Sequence, residues 1–227
     1  MNRNIDITIE LYDSRNGLNN VQIECDDKSS EFIVTADFSF NTMYNDVPIR
    51  DIYSLKMLLP YSYPAKYPKV FETGGRIPLN DDNHANKDDN GSLCLGTNAE
   101  IFKILKNDSS LSYFINAIML PFFYAASYKE QKGEYPWRTR PHGWSGIVDE
   151  YVEFFGLVDA PTAVKFFINL RSYRHPPKGR VRCPCGSGKR FRDCHEEKYS
   201  ERLTFYSHEQ TLSDIENVIS AITPKKS

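Results

Sequence analysis

Two groups of residues in this chain could do chemistry, and both are built on cysteine. The first is Cys94, in the polar segment from His84 to Gly96, HANKDDNGSLCLG. A thiol that is reachable and can lose its proton is a nucleophile, and the Gly-Ser-Leu-Cys-Leu run sets it on a turn with one apolar anchor on each side. Standing alone, such a cysteine reads as a half-buried loop residue. The second group lies between Cys183 and His195, CPCGSGKRFRDCH, with the spacing C-x-C-x8-C-H. Two close cysteines on a tight turn and a Cys-His pair on the next segment can bring three sulfurs and one nitrogen to the corners of a tetrahedron, with Gly186 and Gly188 letting the backbone fold round an ion. Cys183, Cys185, Cys194 and His195 are therefore candidate metal ligands. Such a donor set leaves no position for water, which suits a structural zinc rather than a catalytic one.

The approach to Cys94, LLPYSYPAKYPKVFETGGRIPLNDDNHAN from Leu58 to Asn86, carries further pattern. It resembles the centre of the ubiquitin-conjugating fold, where a strand leads into a YPxxPP-type segment, a short strand, a His-Pro-Asn triplet and then the cysteine. Tyr63, Pro64, Pro68 and Val70 match the proline segment, His84 and Asn86 match the triplet, and Cys94 follows the histidine by ten positions. Tyr67 replaces the first proline of the usual pair and Ala85 replaces the proline of the triplet; neither change removes a reactive group. The knuckle in turn resembles the SEC-C motif, a small zinc unit, through Cys183, Cys185, Gly186, Gly188, Phe191, Cys194 and His195. With the GSLCLG signature and the YPW and HGW segments, the chain resembles the prokaryotic ubiquitin-conjugating-like proteins rather than the eukaryotic ones. Those occur in bacterial antiphage operons, including the CBASS type, where a conjugating domain joins the C-terminus of a cGAS-like nucleotidyltransferase to targets.

That resemblance implies a thioester enzyme. Cys94 would accept the C-terminal acyl group of a carrier protein with a glycine-type tail, a cGAS-like nucleotidyltransferase by kinship, and pass it to an amine on a protein or small molecule. Asn86, a neutral amide donor, would stabilise the oxyanion or else only brace the loop. His84 would have a mainly structural role, and Asp88 or Asp89 could help deprotonate the amine. Tyr63, His142 and Trp144 are candidate contacts for the substrate tail. Two other readings stand beside this one: a non-catalytic adaptor of the same fold holding a ubiquitin-like or cyclase partner, and an unrelated cysteine hydrolase pairing Cys94 with His142. No phosphate-cradling glycine loop is present, so the chain is not expected to activate its own substrate with ATP.

The 227 residues, 40% hydrophobic, suffice for one medium domain and an appendage. Lys and Arg number 28 against 30 Asp and Glu, a balance that argues against a nucleic-acid binder throughout. Nucleic acid is therefore not expected as a partner, although Lys165 to Arg192 holds nine basic residues and no acidic one. A polar N-terminus, the lack of an apolar run of roughly 18 residues and the crowding of cysteines at a metal-type motif point to a cytoplasmic protein without a membrane partner.

The elements that must position these groups read as an α+β fold: a ubiquitin-conjugating-like antiparallel meander packed by helices, plus the C-terminal zinc knuckle. Residues 5–12 fit either a strand or a helix, the resemblance favouring helix. Asn16-Gly17 marks a turn, and Val21–Cys25, Glu31–Phe40 and Ile52–Leu59 read as successive strands. Phe32, Val34, Ala36 and Phe38 form one inward face and Tyr53, Leu55 and Met57 another, with Cys25 packed at a strand end. Pro60, Pro64 and Pro68 hold an extended course. Ser109–Ser127 is the main buried helix, bent near Pro121, with Leu111, Phe114, Ile115, Ile118 and Met119 inward. Residues 133–147 form an aromatic-pinned loop, and shorter helices follow at 149–156, with Val152 and Phe155 inward, and at 160–170. Residues 207–222 form an amphipathic helix bearing Leu212, Ile215, Val218 and Ile219. The expected domains are 1–157, catalytic; 158–180, helical linker; 181–197, knuckle; and 198–227, helix and tail.

Overall fold

The computed structural model describes residue 7 and residues 9–223, apart from the side chains of Ser14 and Asp88. It resolves the chain into two compact units, one of Met1–Gly96 with Ile104–Thr139, the other of Thr97–Lys103 with Arg140–Ser227.

The first unit is built on a six-stranded sheet in the order β1-β2-β3-β4-β6-β5. Its strands are β1 (Leu18–Asp26), β2 (Glu31–Tyr44), β3 (Val47–Pro60), β4 (Lys69–Glu72), β5 (Ala85–Asn86) and β6 (Ser92–Leu93). All its pairings are antiparallel, as expected. Alternation sets the faces: Phe32, Val34, Ala36 and Phe38 lie opposite Leu59, Met57, Leu55 and Tyr53, and all eight are buried. The β2 and β3 strands outrun the expected ends because they stay paired until Tyr44 meets Val47. Only Asn45 and Asp46 remain between them, both in the left-handed region with φ 46° and 60°, the two-residue turn that matches strand twist. Cys25 departs from expectation. It lies opposite Phe32, on the inward face, but it sits on the edge strand β1 and is exposed.

A helix, α2 (Leu111–Lys132), covers this sheet; α1 (Asn98–Leu105) precedes it. Ser110 caps α2 by accepting from the Tyr113 N–H, and Gly133, with φ 83°, ends it. Residues Ile115–Met119 take up a π turn, the local widening that accommodates the ring of Pro121 inside a continuous helix. The five residues expected to face inward are all buried. Phe123 packs on Phe38 and Tyr53, and the Tyr53 hydroxyl meets Ser127 Oγ at 2.9 Å. By length and composition α2 could cross a membrane; here its apolar face is spent on the sheet. Near the N-terminus Ile7 and residues 9–11 are helical, with Ile7 and Leu11 buried; Ile5 falls outside the described residues.

The second unit holds α3 (Trp144–Phe155), α4 (Ala160–Leu170), the knuckle, α5 (Glu196–Leu203) and α6 (His208–Ile222). The irregular run thus ends at Gly143, not at residue 147, and Trp144 opens a helix. Trp137 does pin the loop, stacked on Tyr124 and edge-on to Tyr44 within the first unit. Asp159 caps α4 and Pro161 sits in its first turn. Ser207 and Gln210 form a capping box at the start of α6. Tyr151, Phe155, Phe166, Phe167, Phe191, Ile215 and Val218 share one buried cluster with Cys183 and Cys185. The knuckle therefore sits in the same core as α3, α4 and α6. Arg202, on α5, is wholly buried, binding Glu150 at 2.8 Å and lying 3.9 Å from Asp214, with its guanidinium over Tyr151.

Candidate active-site loop and metal centre

Cys94 follows a very short hairpin. Ala85 and Asn86 pair with Leu93 and Ser92, and a 3-10 turn, Lys87–Asp89, joins them. Asn90 and Gly91 close the turn at φ 54° and 87°. At Gly91 that conformation favours glycine, and a Cβ there would also press on the Leu79 side chain at 2.9 Å. The Cys94 N–H donates to the His84 carbonyl at 2.7 Å, and the thiol is half-buried. His84 is itself left-handed, φ 51°, and its ring meets Tyr135 edge-on at 5.7 Å. Tyr135 and Lys129 both donate to the Asp82 carbonyl, at 2.8 and 2.7 Å, and Lys129 also pairs with the Asp82 carboxylate. The turn ahead of His84 is thereby fastened to α2 and the segment after it.

The Asn86 amide donates to the Ser92 carbonyl at 3.0 Å and to Ser92 Oγ at 3.1 Å. Both of its N–H groups are thus engaged in bracing the hairpin. Ser92 Oγ donates to Asp89 at 2.8 Å, and Lys69 closes the chain by donating to both Asp89 oxygens. The hydrogen bonds from Lys69 and Ser92 hold the Asp89 carboxyl below its ordinary pKa, which makes it a weak proton acceptor. The Asp88 side chain lies outside the described residues.

His84, Asn86 and Cys94 thus come together in one hairpin. Tyr63 belongs to the same unit but is buried, its hydroxyl donating to the Ser110 carbonyl at 3.0 Å. His142 and Trp144 belong to the second unit, His142 half-buried and Trp144 exposed. Sequence reasoning missed the brace of Ser92, Asp89 and Lys69. The adjacent polar residues of NKDDNGS carried a hint of it, but Lys69 arrives only through the pairing of β4 with β6.

In the second unit the donor atoms of Cys183, Cys185, Cys194 and His195 all lie within 4.8 Å of one another. The Cys185 and Cys194 sulfurs are 3.7 Å apart. His195 Nδ1 stands 3.1 Å from the Cys183 sulfur and 3.2 Å from that of Cys194. Sulfurs about 2.3 Å from one tetrahedral ion would be about 3.8 Å apart, so the cluster has the size and chemistry of a closed metal site. Gly186 and Gly188 both have φ 78°, and a Cβ on Gly186 would collide with Lys165 at 2.3 Å. The His195 ring also hydrogen-bonds the Phe155 backbone; burial nonetheless lowers its pKa, favouring the neutral, ligating imidazole. Burial raises the Cys183 thiol. It opposes ionisation of Cys185 as well, but hydrogen bonds from Ser187 bring that thiol below its ordinary value.

Comparison with known protein families matches the SEC-C motif at residues 182–197, the segment that carries all four donors. No curated protein matches the chain, and no solved structure matches it.

Proposed function

We propose that the first unit is a ubiquitin-conjugating-like acyltransferase with Cys94 as its nucleophile. The reading is carried by one observation: a half-buried thiol follows a hairpin tied to a left-handed His84, with the Asn86 amide in the same pair of strands. The Cys94 thiolate would attack an activated C-terminal acyl group presented as a thioester. The new sulfur–carbon bond forms as the donor thiol leaves and takes up the proton. An amine then attacks the Cys94 thioester, the amide forms, and the sulfur departs as thiolate while the nitrogen loses its proton to solvent or a base. By the resemblance, the carrier is a cGAS-like nucleotidyltransferase of an antiphage system and the setting is a bacterial cytoplasm. In the knuckle we assign a structural zinc to Cys183, Cys185, Cys194 and His195, as the SEC-C match and the donor set support.

The adaptor reading draws support from Asn86, whose two N–H groups are both held by Ser92. To steady an oxyanion it must release one of them. Intact mass decides between the readings, on wild type, Cys94→Ala and Cys94→Lys purified from cells that also express the neighbouring genes. A thiol-sensitive adduct on wild type, a stable amide on Cys94→Lys and nothing on Cys94→Ala is the expected pattern, and the adduct mass names the carrier. Co-purifying partners without any adduct would make the protein an adaptor.

A further inference from the structure

The near-neutral charge of the whole chain conceals a local excess. Every one of the nine basic residues between Lys165 and Arg192 is exposed. Among the described residues only Arg171 and Arg192 of the nine form ion pairs, with Glu216 at 2.7 Å and Asp193 at 3.5 Å.

The knuckle gathers four of these cations around one short ribbon. Residues 181–183 and 189–191 run antiparallel, with Cys183 N–H on the Lys189 carbonyl at 2.9 Å and Phe191 N–H on the Val181 carbonyl at 2.8 Å. Arg182 and Arg190 are directly opposite across this ribbon. The two flanking bonds make them a non-hydrogen-bonded pair, the closer of the two antiparallel arrangements, with Cα atoms about 4.5 Å apart. Phe191 is buried and Val181 packs against the core. Their neighbours Arg182 and Arg190 therefore point the opposite way, to solvent, and Arg180, in the turn before the ribbon, and Arg192, in the 3-10 turn Phe191–Asp193 that follows it, are exposed at the same end. Like charges set directly opposite each other oppose folding, and among the described residues no carboxylate pairs with Arg182 or Arg190.

We infer that this cluster of four exposed arginines, centred on the Arg182–Arg190 pair, binds the phosphate backbone of a nucleic-acid duplex. Arginine forks match phosphate oxygens and are weakly hydrated, and a phosphate seated between Arg182 and Arg190 relieves their repulsion. The exposed residues along the ribbon's turn are Gly186, Ser187, Gly188 and Lys189. They offer no apolar centre of the kind that protein interfaces bury. The ribbon also exposes no aromatic ring on which unpaired bases could stack, so recognition falls on the backbone, independent of sequence. The ribbon is built by the knuckle, and the zinc assignment can be followed separately by metal content.

The test is fluorescence anisotropy of full-length, zinc-loaded protein with a labelled mixed-sequence DNA duplex across a salt series. Four phosphate contacts give a slope of log K against log salt of roughly −3.6, a loss of about a hundredfold between about 50 and 200 mM. Arg182→Gln/Arg190→Gln should halve that slope, leaving a loss of about tenfold over the same range, with zinc content and melting temperature unchanged. Arg180→Gln/Arg192→Gln, two residues along the chain from the paired arginines, gives the same reading should the first variant lose metal. Arg50→Gln, on the first unit, should leave binding unaltered. Absence of binding, a slope indifferent to both double variants, or polyglutamate competing as well as duplex would overturn the inference, the last in favour of an acidic protein partner.

Discussion

Cys94 and His84 are joined through the backbone, the cysteine N–H donating to the histidine carbonyl at 2.7 Å. The position of the thiol is thus set by the register of the β5–β6 hairpin, and that register is held by Asn86 on Ser92. Asn86→Ala should cost about 1–3 kcal/mol for the two bonds lost and slow adduct formation on Cys94. Denaturant unfolding and intact mass on the same samples check this. Wild-type stability in the variant would show that the brace is not holding the hairpin.

Removal of metal should undo the second unit before the first. Cys183, Cys185 and Phe191 belong to the same buried cluster as Tyr151, Phe155 and Phe166, so releasing the knuckle opens that core. Chelator, or Cys185→Ser, should lower one melting transition and leave another in place, while metal analysis of wild type should find a single zinc per chain. A calorimetric trace unchanged by chelator in protein shown to be metal-free would sink the structural role.

Much of this was legible from local pattern. The period-two runs from Phe32 and Tyr53, the inward face of α2 and the four-donor spacing each need only a short window of sequence. What was not legible depends on residues far apart. The strands β5 and β6 have two residues each and exist only because β4 offers an edge. The second unit takes up residues 97–103 and begins at Arg140, where the boundary was expected near 157. Arg140 there collects Glu100, Asp149 and Glu153, a junction that no single window contains. Cys25 was assigned by its place in a strand, but burial depends on what covers that corner of the sheet. The strongly polar run EEKYSERL supplies the wholly buried Arg202, whose partners Glu150 and Asp214 lie far along the chain.

Arg202→Met should be among the most damaging substitutions in the second unit. Glu150 and Asp214 are both nearly inaccessible, and Arg202 is the cation that faces them. Removing it strands two buried carboxylates, at a cost of about 3–5 kcal/mol. Neutralising them as well, in Arg202→Met/Glu150→Gln/Asp214→Asn, should recover most of that loss in a denaturant titration. No recovery would mean that packing of the guanidinium on Tyr151 and Tyr206, rather than charge, explains the damage.

The same cluster sets a pH dependence. Burial pushes the Asp214 carboxyl up from 3.8 to about 6, against the hydrogen bond from Tyr206 and the charge of Arg202; Glu150, also raised by burial, adds to it. A raised acid binds its proton more tightly in the folded state, so its stabilising contribution is complete below the unfolded pKa and fades as pH rises through about 6. The shift corresponds to about 3 kcal/mol for Asp214. Asp214→Asn resembles the protonated acid at every pH. Relative to wild type it should therefore gain about 1.4 kcal/mol of stability between pH 5 and pH 8, the remainder of the effect falling below pH 5. Loss of zinc in acid would tilt both proteins alike, so the difference between their unfolding curves isolates Asp214. If that difference is the same at both pH values, the carboxyl is already ionised at pH 5 and the buried pair is better solvated than its surroundings imply.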